Sequence, residues 1–320
     1  MSFPYSSGDK WLSADINNLY YRAVDEFKIG GDGSDGALNV SAGTTNVSGV
    51  KNYTTITVAN GATLNIQGPT ILRATGAVSI SGAITSDNNT GGYCAAAQGQ
   101  PGSQIGSNSQ GVNGGWAGFE WMQYQYSRIP FGGGRGGPGG AGASMDGSDE
   151  LGGCGGGGGA GALKGGDSAQ ADEGNSSVSG TYGGDGGDPD YGLIIEAVGD
   201  ITFASTADID LKGGAGGNGN ANGGGGGGAG GSSFQCLTLG DLTFTASANI
   251  NVSGGAGGNG QGSLGSGGGG GGGGLIKFWY LGSLTDSGTT VVTGGAAGGG
   301  FGSASAGENG IYATEQLSGF

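Results

Sequence analysis

Histidine is absent from the chain. Its absence excludes catalytic triads built on an imidazole, histidine zinc sites and a charge switch near neutral pH. Cysteine is scarce: Cys94, Cys154 and Cys236 are far apart and odd in number. They supply neither a disulfide framework nor a CxxC metal site, and they read as free thiols. Six prolines exclude a collagen helix, which needs abundant proline between regularly spaced glycines. Charge is sparse and one-sided, with 10 basic and 25 acidic residues and a net charge of −15. That sign disfavours a nucleic-acid partner, and the low charged fraction argues against a charge-expanded disordered chain. No apolar run approaches the roughly 18 residues of a membrane-spanning helix, so no membrane insertion is expected. The first residues lack the basic and apolar regions of a secretory signal peptide, so cytoplasmic synthesis without one is expected.

Glycine dominates instead, with 87 of 320 residues. Glycine adds no side chain to a core and loses the most freedom on ordering. Either much of the chain is disordered, or the glycines stack in a regular way that pairs their backbone groups.

Residues 14–27 follow an i, i+3, i+4, i+7 apolar pattern through Ile16, Leu19, Tyr20, Ala23, Val24 and Phe27, with Ser13 as N-cap. They predict a single amphipathic helix within an attachment segment, 1–29. From 30 to 92 the texture becomes short Thr-, Val- and Ile-rich runs broken by Gly and Asn, such as 37–40, 54–58 and 62–66, which predicts a β-strand domain. Residues 93–131 form an aromatic-rich insertion, and 132–320 form a glycine-rich repeat domain.

The repeat is explicit. Residues 193–219 align without gaps to 234–260, with 13 of 27 positions identical. Residues 276–300 continue the series, and 70–92 look like a degenerate earlier copy. The alternating pairs Ile201/Phe203, Ile209/Leu211, Leu242/Phe244 and Ile250/Val252 place apolar side chains on one face. Stacked units of this kind predict a β-solenoid-like spine in which neighbours bury each other's apolar faces.

The glycine tracts carry their own period. Arg135, Pro138 and Ala141 are spaced by three, as are Tyr182, Asp185 and Asp188, and Ala215, Asn218 and Ala221. Ala256 and Asn259 repeat the phase. Three residues per turn is polyproline-II geometry, in which bare glycine faces let neighbouring rods approach and bond sideways. The tracts pair across short connectors: 213–219 with 223–231, 254–260 with 267–274, and 132–142 with 152–162. With 183–187 and 294–302 they make eight candidate rods, folded as up-and-down hairpins whose connectors gather at the far end.

On these tracts, chiefly 132–302, the chain resembles the distal long-tail-fibre adhesins of T-even-type bacteriophages. That family builds a sandwich of polyglycine-II helices and presents variable loops to receptors on the bacterial surface. The first 90 residues, with GDGSDGAL at 31–38, look like domains of phage-encoded tail proteins. The GGAGGNG tracts are also similar to glycine-rich repeat proteins of mycobacteria, whose helical N-terminal domain has no counterpart here. The expected fold class is all-β: a short N-terminal helix, then a β-solenoid-like spine of short strands with an interleaved polyglycine-II helix bundle, a glycine-rich sandwich. The expected function is non-enzymatic, a structural tail-fibre or tail-tip adhesin of the virion. The expected partners are a bacterial surface receptor or glycan and, through the N-terminal region, other tail or fibre proteins. A homo-oligomer, a trimer, or a monomeric cap on a trimeric fibre follows from the resemblance, and no cofactor is expected. The alternative is a non-phage bacterial surface-assembly or ice-binding glycine-rich protein. The tract residues Asn218, Asn259, Arg135 and Asp188 are too mixed for a flat ice-binding face.

Receptor-binding candidates fall in the aromatic insertion and the connectors: Trp116, Phe119, Trp121, Tyr124 and Tyr126; Met145, Asp146 and Asp149; Asn220 and Asn222; Gln261 and Leu264. The aromatics read either as a plug over one end of the bundle or as an exposed platform. Residues 30–38 and 183–191 fit a calcium-binding nonapeptide pattern through Asp32, Asp35, Asp185 and Asp188. Calcium rolls need such repeats in tandem, so these read first as Gly-Asp turns, with no metal expected. The GxGxxG strings carry no information in so glycine-rich a chain. A polysaccharide depolymerase would need aligned carboxylates on successive units, and Asp208/Asn249 and Asp210/Asn251 alternate acid with amide instead.

Overall fold

The computed structural model describes residues 29–86, 190–219, 224–262, 265–301 and 304–317. They form sixteen strands. Before the insertion come β1 (Leu38–Val40), β2 (Gly43–Tyr53), β3 (Ile56–Val58), β4 (Ala62–Ala74), β5 (Val78–Ile80) and β6 (Ala83–Ser86). After it come β7 (Leu193–Ala197), β8 (Ile201–Phe203), β9 (Asp208–Asp210), β10 (Ser233–Thr238), β11 (Leu242–Phe244) and β12 (Asn249–Asn251). The last four are β13 (Leu275–Tyr280), β14 (Leu284–Asp286), β15 (Thr289–Val291) and β16 (Ile311–Gln316).

All strand pairs are parallel, in two sheets. One has six strands in the order β1-β3-β5-β8-β11-β14. The other has ten, running β15-β12-β9-β6-β4-β7-β10-β13-β16, with β2 beside β4. The larger sheet bends at β4: residues 63–66 pair with β6 and residues 70–74 pair with β7. Its two limbs and the smaller sheet enclose one core, so the section is nearly closed and barrel-like.

This topology corrects the expected fold class. The described residues contain no helix, and the expected helix over 14–27 lies outside them. Nor do the strands make a β-solenoid-like spine of separate short segments; they merge into two parallel sheets. The physical reason is β4, which runs 13 residues straight through Gly68-Pro69. Proline has no N–H to give a ladder. The β2–β4 pairing therefore jumps from Val47↔Ile66 to Gly49↔Thr70, and the chain bends there without ending the sheet.

Alternation along the short strands builds the core. In the smaller sheet Leu38, Ile56, Val78, Ile201, Leu242 and Leu284 share one register line, and Val40, Val58, Ile80, Phe203 and Phe244 share the next. The larger sheet contributes Ile84, Ile209 and Ile250 from one limb and Ile195, Cys236 and Phe278 from the other, all fully buried. Phe203, Phe234, Phe244, Phe278 and Tyr312 meet edge to face at centroid distances of 5.8–6.4 Å. Edge-to-face contact suits the ring quadrupole and adds about 0.5–1.5 kcal/mol per pair beyond burial. At the last strand Asp286 takes the line occupied by Phe203 and Phe244 and accepts a hydrogen bond from the Tyr312 hydroxyl.

Burial pushes the Cys236 thiol well above its ordinary range. The folded chain then keeps a proton that the unfolded chain releases above about pH 8.5. The thiol's contribution is intact below that value and is lost as pH rises beyond it. In a Cys94→Ser/Cys154→Ser background, the denaturation midpoint should fall between about pH 8 and 10. Cys236→Ala should flatten that fall, and Cys236 should resist thiol reagents until the protein unfolds. An unchanged slope in the alanine variant would contradict the assignment.

Candidate recognition site at the hairpin end

The glycine segments leave the barrel at one corner. Each departs after β9, β12 or β15 and returns at β10, β13 or β16. Within a hairpin the two segments run antiparallel: Gly226 N–H donates to Gly217 O and Ala229 N–H to Gly214 O, both at 2.9 Å. Corresponding segments of successive units run parallel, in steps of three. Gly213, Gly216 and Gly219 donate to Ser253, Ala256 and Asn259 at 2.8–2.9 Å, and Gly254, Gly257 and Gly260 donate to Thr293, Ala296 and Gly299. A third set ties neighbouring hairpins, as where Gly258 N–H donates to Gly226 O, while Gly258 O accepts from Gly268 N–H within its own hairpin.

In the segments 213–219 and 254–260 two of every three residues thus bond inward, and the third faces out. Ala215, Asn218, Ala256 and Asn259 are exposed, while Gly224–Gly231 and Gly267–Gly274 are buried. A Cβ on Gly258 would fall onto the carbonyl of Gly217, and one on Gly271 onto that of Ala229. Only a bare backbone permits this spacing.

Fixed register brings the described residues that flank the three connectors, Gly219 and Gly224, Gln261 and Gly265, and Phe301 and Ala304, to the same end. Asn218 Oδ1 accepts from Asn259 N–H at 2.8 Å, and Asn259 Oδ1 accepts from Gly299 N–H at 2.7 Å. Both amides therefore turn Nδ2 away from the bonded backbone. Gln261 is exposed and is followed by Gly262 at φ +72°, a left-handed turn residue. Gly265 N–H donates to Gln261 O at 3.2 Å, and Phe301 N–H donates to Gly265 O at 2.8 Å, so Phe301 adjoins the second connector. Phe301 is 61% exposed, the most exposed large apolar side chain among the described residues.

Of the expected receptor-binding residues, the structure places Gln261 at this end. Trp116, Phe119, Trp121, Tyr124, Tyr126, Met145, Asp146, Asp149, Asn220, Asn222 and Leu264 lie outside the described residues, as do Asp185 and Asp188. Phe301 was not singled out in the sequence, although it is the one aromatic within 213–231, 254–274 and 294–307.

The two remaining calcium candidates act as turn residues. Asp32 Oδ1 accepts from Ser34 N–H at 3.0 Å. Asp35 Oδ2 accepts from Asn52 N–H at 2.6 Å, while Asp35 N–H donates back to Asn52 O. Among the described residues no group of three or more His, Cys, Asp or Glu is placed to hold a metal ion. At the turns before β8 and β11, Asp200 accepts from Asp241 N–H, and Asp241 accepts from the N–H and hydroxyl of Ser283. Those bonds hold the Asp241 carboxyl below its ordinary range. Asn249 Nδ2 donates to Asp208 Oδ1 at 2.9 Å, so this acid–amide pair links successive strands.

No protein-family model, no curated protein and no solved structure matches the chain.

Proposed function

We propose that the protein is a non-enzymatic structural adhesin of a bacteriophage virion, carried at a tail fibre or tail tip, that attaches to a receptor on the host surface. One observation carries this proposal: three glycine hairpins, bonded backbone to backbone, bring the described residues on either side of their connectors to one end. A rigid scaffold with connectors grouped at its end suits recognition, because loops fixed by a scaffold lose little freedom on binding. The N-terminal region would join other tail or fibre proteins, and several copies, as a trimer or as caps on a trimeric fibre, would raise avidity without strong single contacts. Asn39, Thr57, Ser79, Thr202, Thr243 and Thr285 form one polar line on the smaller sheet, which would suit the ice-binding alternative. The exposed carboxylates of Asp200 and Asp241 beside that line weigh against it.

Exchanging connector 261–266 for a glycine-serine stretch of equal length tests the proposal. The exchanged protein should keep its denaturation midpoint and lose its ability to compete with virions for adsorption to host cells. Undiminished competition would sink the assignment of this end.

A further inference from the structure

We propose that the ligand taken at the hairpin end is an uncharged, hydroxyl-rich saccharide, an inference that rests on the adhesin function proposed above. The first observation is electrostatic. The chain has 35 charged residues, yet none falls within 213–231, 254–274 or 294–307. The nearest charge before the first hairpin, Lys212, is held by Asp210 at 2.8 Å at the barrel end. A site for phosphate or carboxylate groups would use Arg or Lys for charge-assisted bonds. A site for a basic ligand would use Asp or Glu. Neither sign is present within these three hairpins.

The second observation is the side-chain chemistry that is present. Phe301, 61% exposed, offers a flat face against which the C–H face of a sugar ring can stack. Asn259 and Gln261 are exposed at the same end: Asn259 Oδ1 holds Gly299, two residues before Phe301, and Gln261 O holds Gly265, whose carbonyl accepts from Phe301 N–H. Asn259 Oδ1 is used by Gly299 N–H, which leaves Nδ2 as a donor. The Gln261 amide offers both a donor and an acceptor. One exposed aromatic ring with amides on the adjoining segments matches a sugar ring with hydroxyls at its rim, and the sideways bonds of the bundle fix the backbone that carries them before binding.

The full-length protein should be screened against immobilised neutral and anionic bacterial oligosaccharides, and then titrated with the best neutral one at low and high salt. The expected result is binding to a neutral saccharide that salt does not weaken. Phe301→Ala should weaken it about tenfold or more, and Phe301→Trp should retain it. Gln261→Ala should weaken it less, and all three variants should keep the parent's denaturation midpoint. Binding confined to anionic saccharides and abolished by salt would overturn the inference. So would cell adsorption that protease treatment of the cells removes while no saccharide binds. In both of those cases the adhesin function stands. Absence of adsorption to any bacterial cell would overturn that function as well.

Discussion

Gly258→Ala should destabilise the protein by about 3 kcal/mol or more, while Gly299→Ala should cost less than about 1 kcal/mol. The two glycines lie in corresponding segments of successive hairpins but differ in what a methyl group would meet. At Gly258 the new Cβ would land on the Gly217 carbonyl. Gly258 also donates to Gly226 and accepts from Gly268, so it cannot retreat from one neighbour without breaking a bond to another. A lost bond between buried backbone groups leaves two unpaired partners, each costing about 1–3 kcal/mol. The stiffer unfolded chain of an alanine variant returns only about 0.4–1 kcal/mol. At Gly299 the nearest atom beyond the chain neighbours is Asn259 Oδ1 at 3.4 Å, ordinary contact distance. Urea denaturation of both variants checks the pair, and equal midpoints would refute the close packing of the bundle.

Phe244→Ala should cost about 3–5 kcal/mol, the usual range for removing a fully buried aromatic ring. Phe244 stands 5.8 Å from Phe203 and 6.3 Å from Phe278, edge to face with both. Gly288 of the neighbouring turn lies against its ring, so close that a Cβ there would overlap it. Parallel strands on either side hold the backbone in register, so the cavity can collapse little. Val50→Ala, at a side chain 52% exposed, should change the midpoint far less in the same denaturation series. A Phe244 variant as mild as the Val50 variant would contradict the single-core description.

Repetition and alternation were the legible part of the sequence. The gapless alignment of 193–219 with 234–260 pairs Ile201 with Leu242 and Phe203 with Phe244, and the strands adopt that register. The step of three in the tracts reappears in the hydrogen bonds of Gly213, Gly216 and Gly219. β2 was illegible because GTTNVSGVKNY is rich in residues that favour turns; pairing with β4 along most of its length overrides that local preference. The sheet junction was illegible because Gly68-Pro69 reads as a break, whereas neighbours on both sides of it keep β4 in one sheet. Nothing in the local sequence singles out Asp286, and only the register shows that it closes the line of Phe203 and Phe244. At the recognition end, composition pointed to the connectors, but Phe301 emerged only when its adjacency to Gly265 and Gln261 was visible.

Asp286, on the line of Phe203 and Phe244, also concerns how the smaller sheet ends. A stack of parallel strands has no internal reason to stop, since each edge can template another strand. Asp286 is exposed at the β14 edge, and a further strand there would bury its carboxylate against Phe244, a step that the Tyr312 hydroxyl alone could not compensate. No equivalent carboxylate lies on the β1 line, where Leu38 and Val40 flank Asn39. Among the described residues the two edges of the smaller sheet thus differ in chemistry: a carboxylate stands on the core-facing line at β14, and valine stands on it at β1.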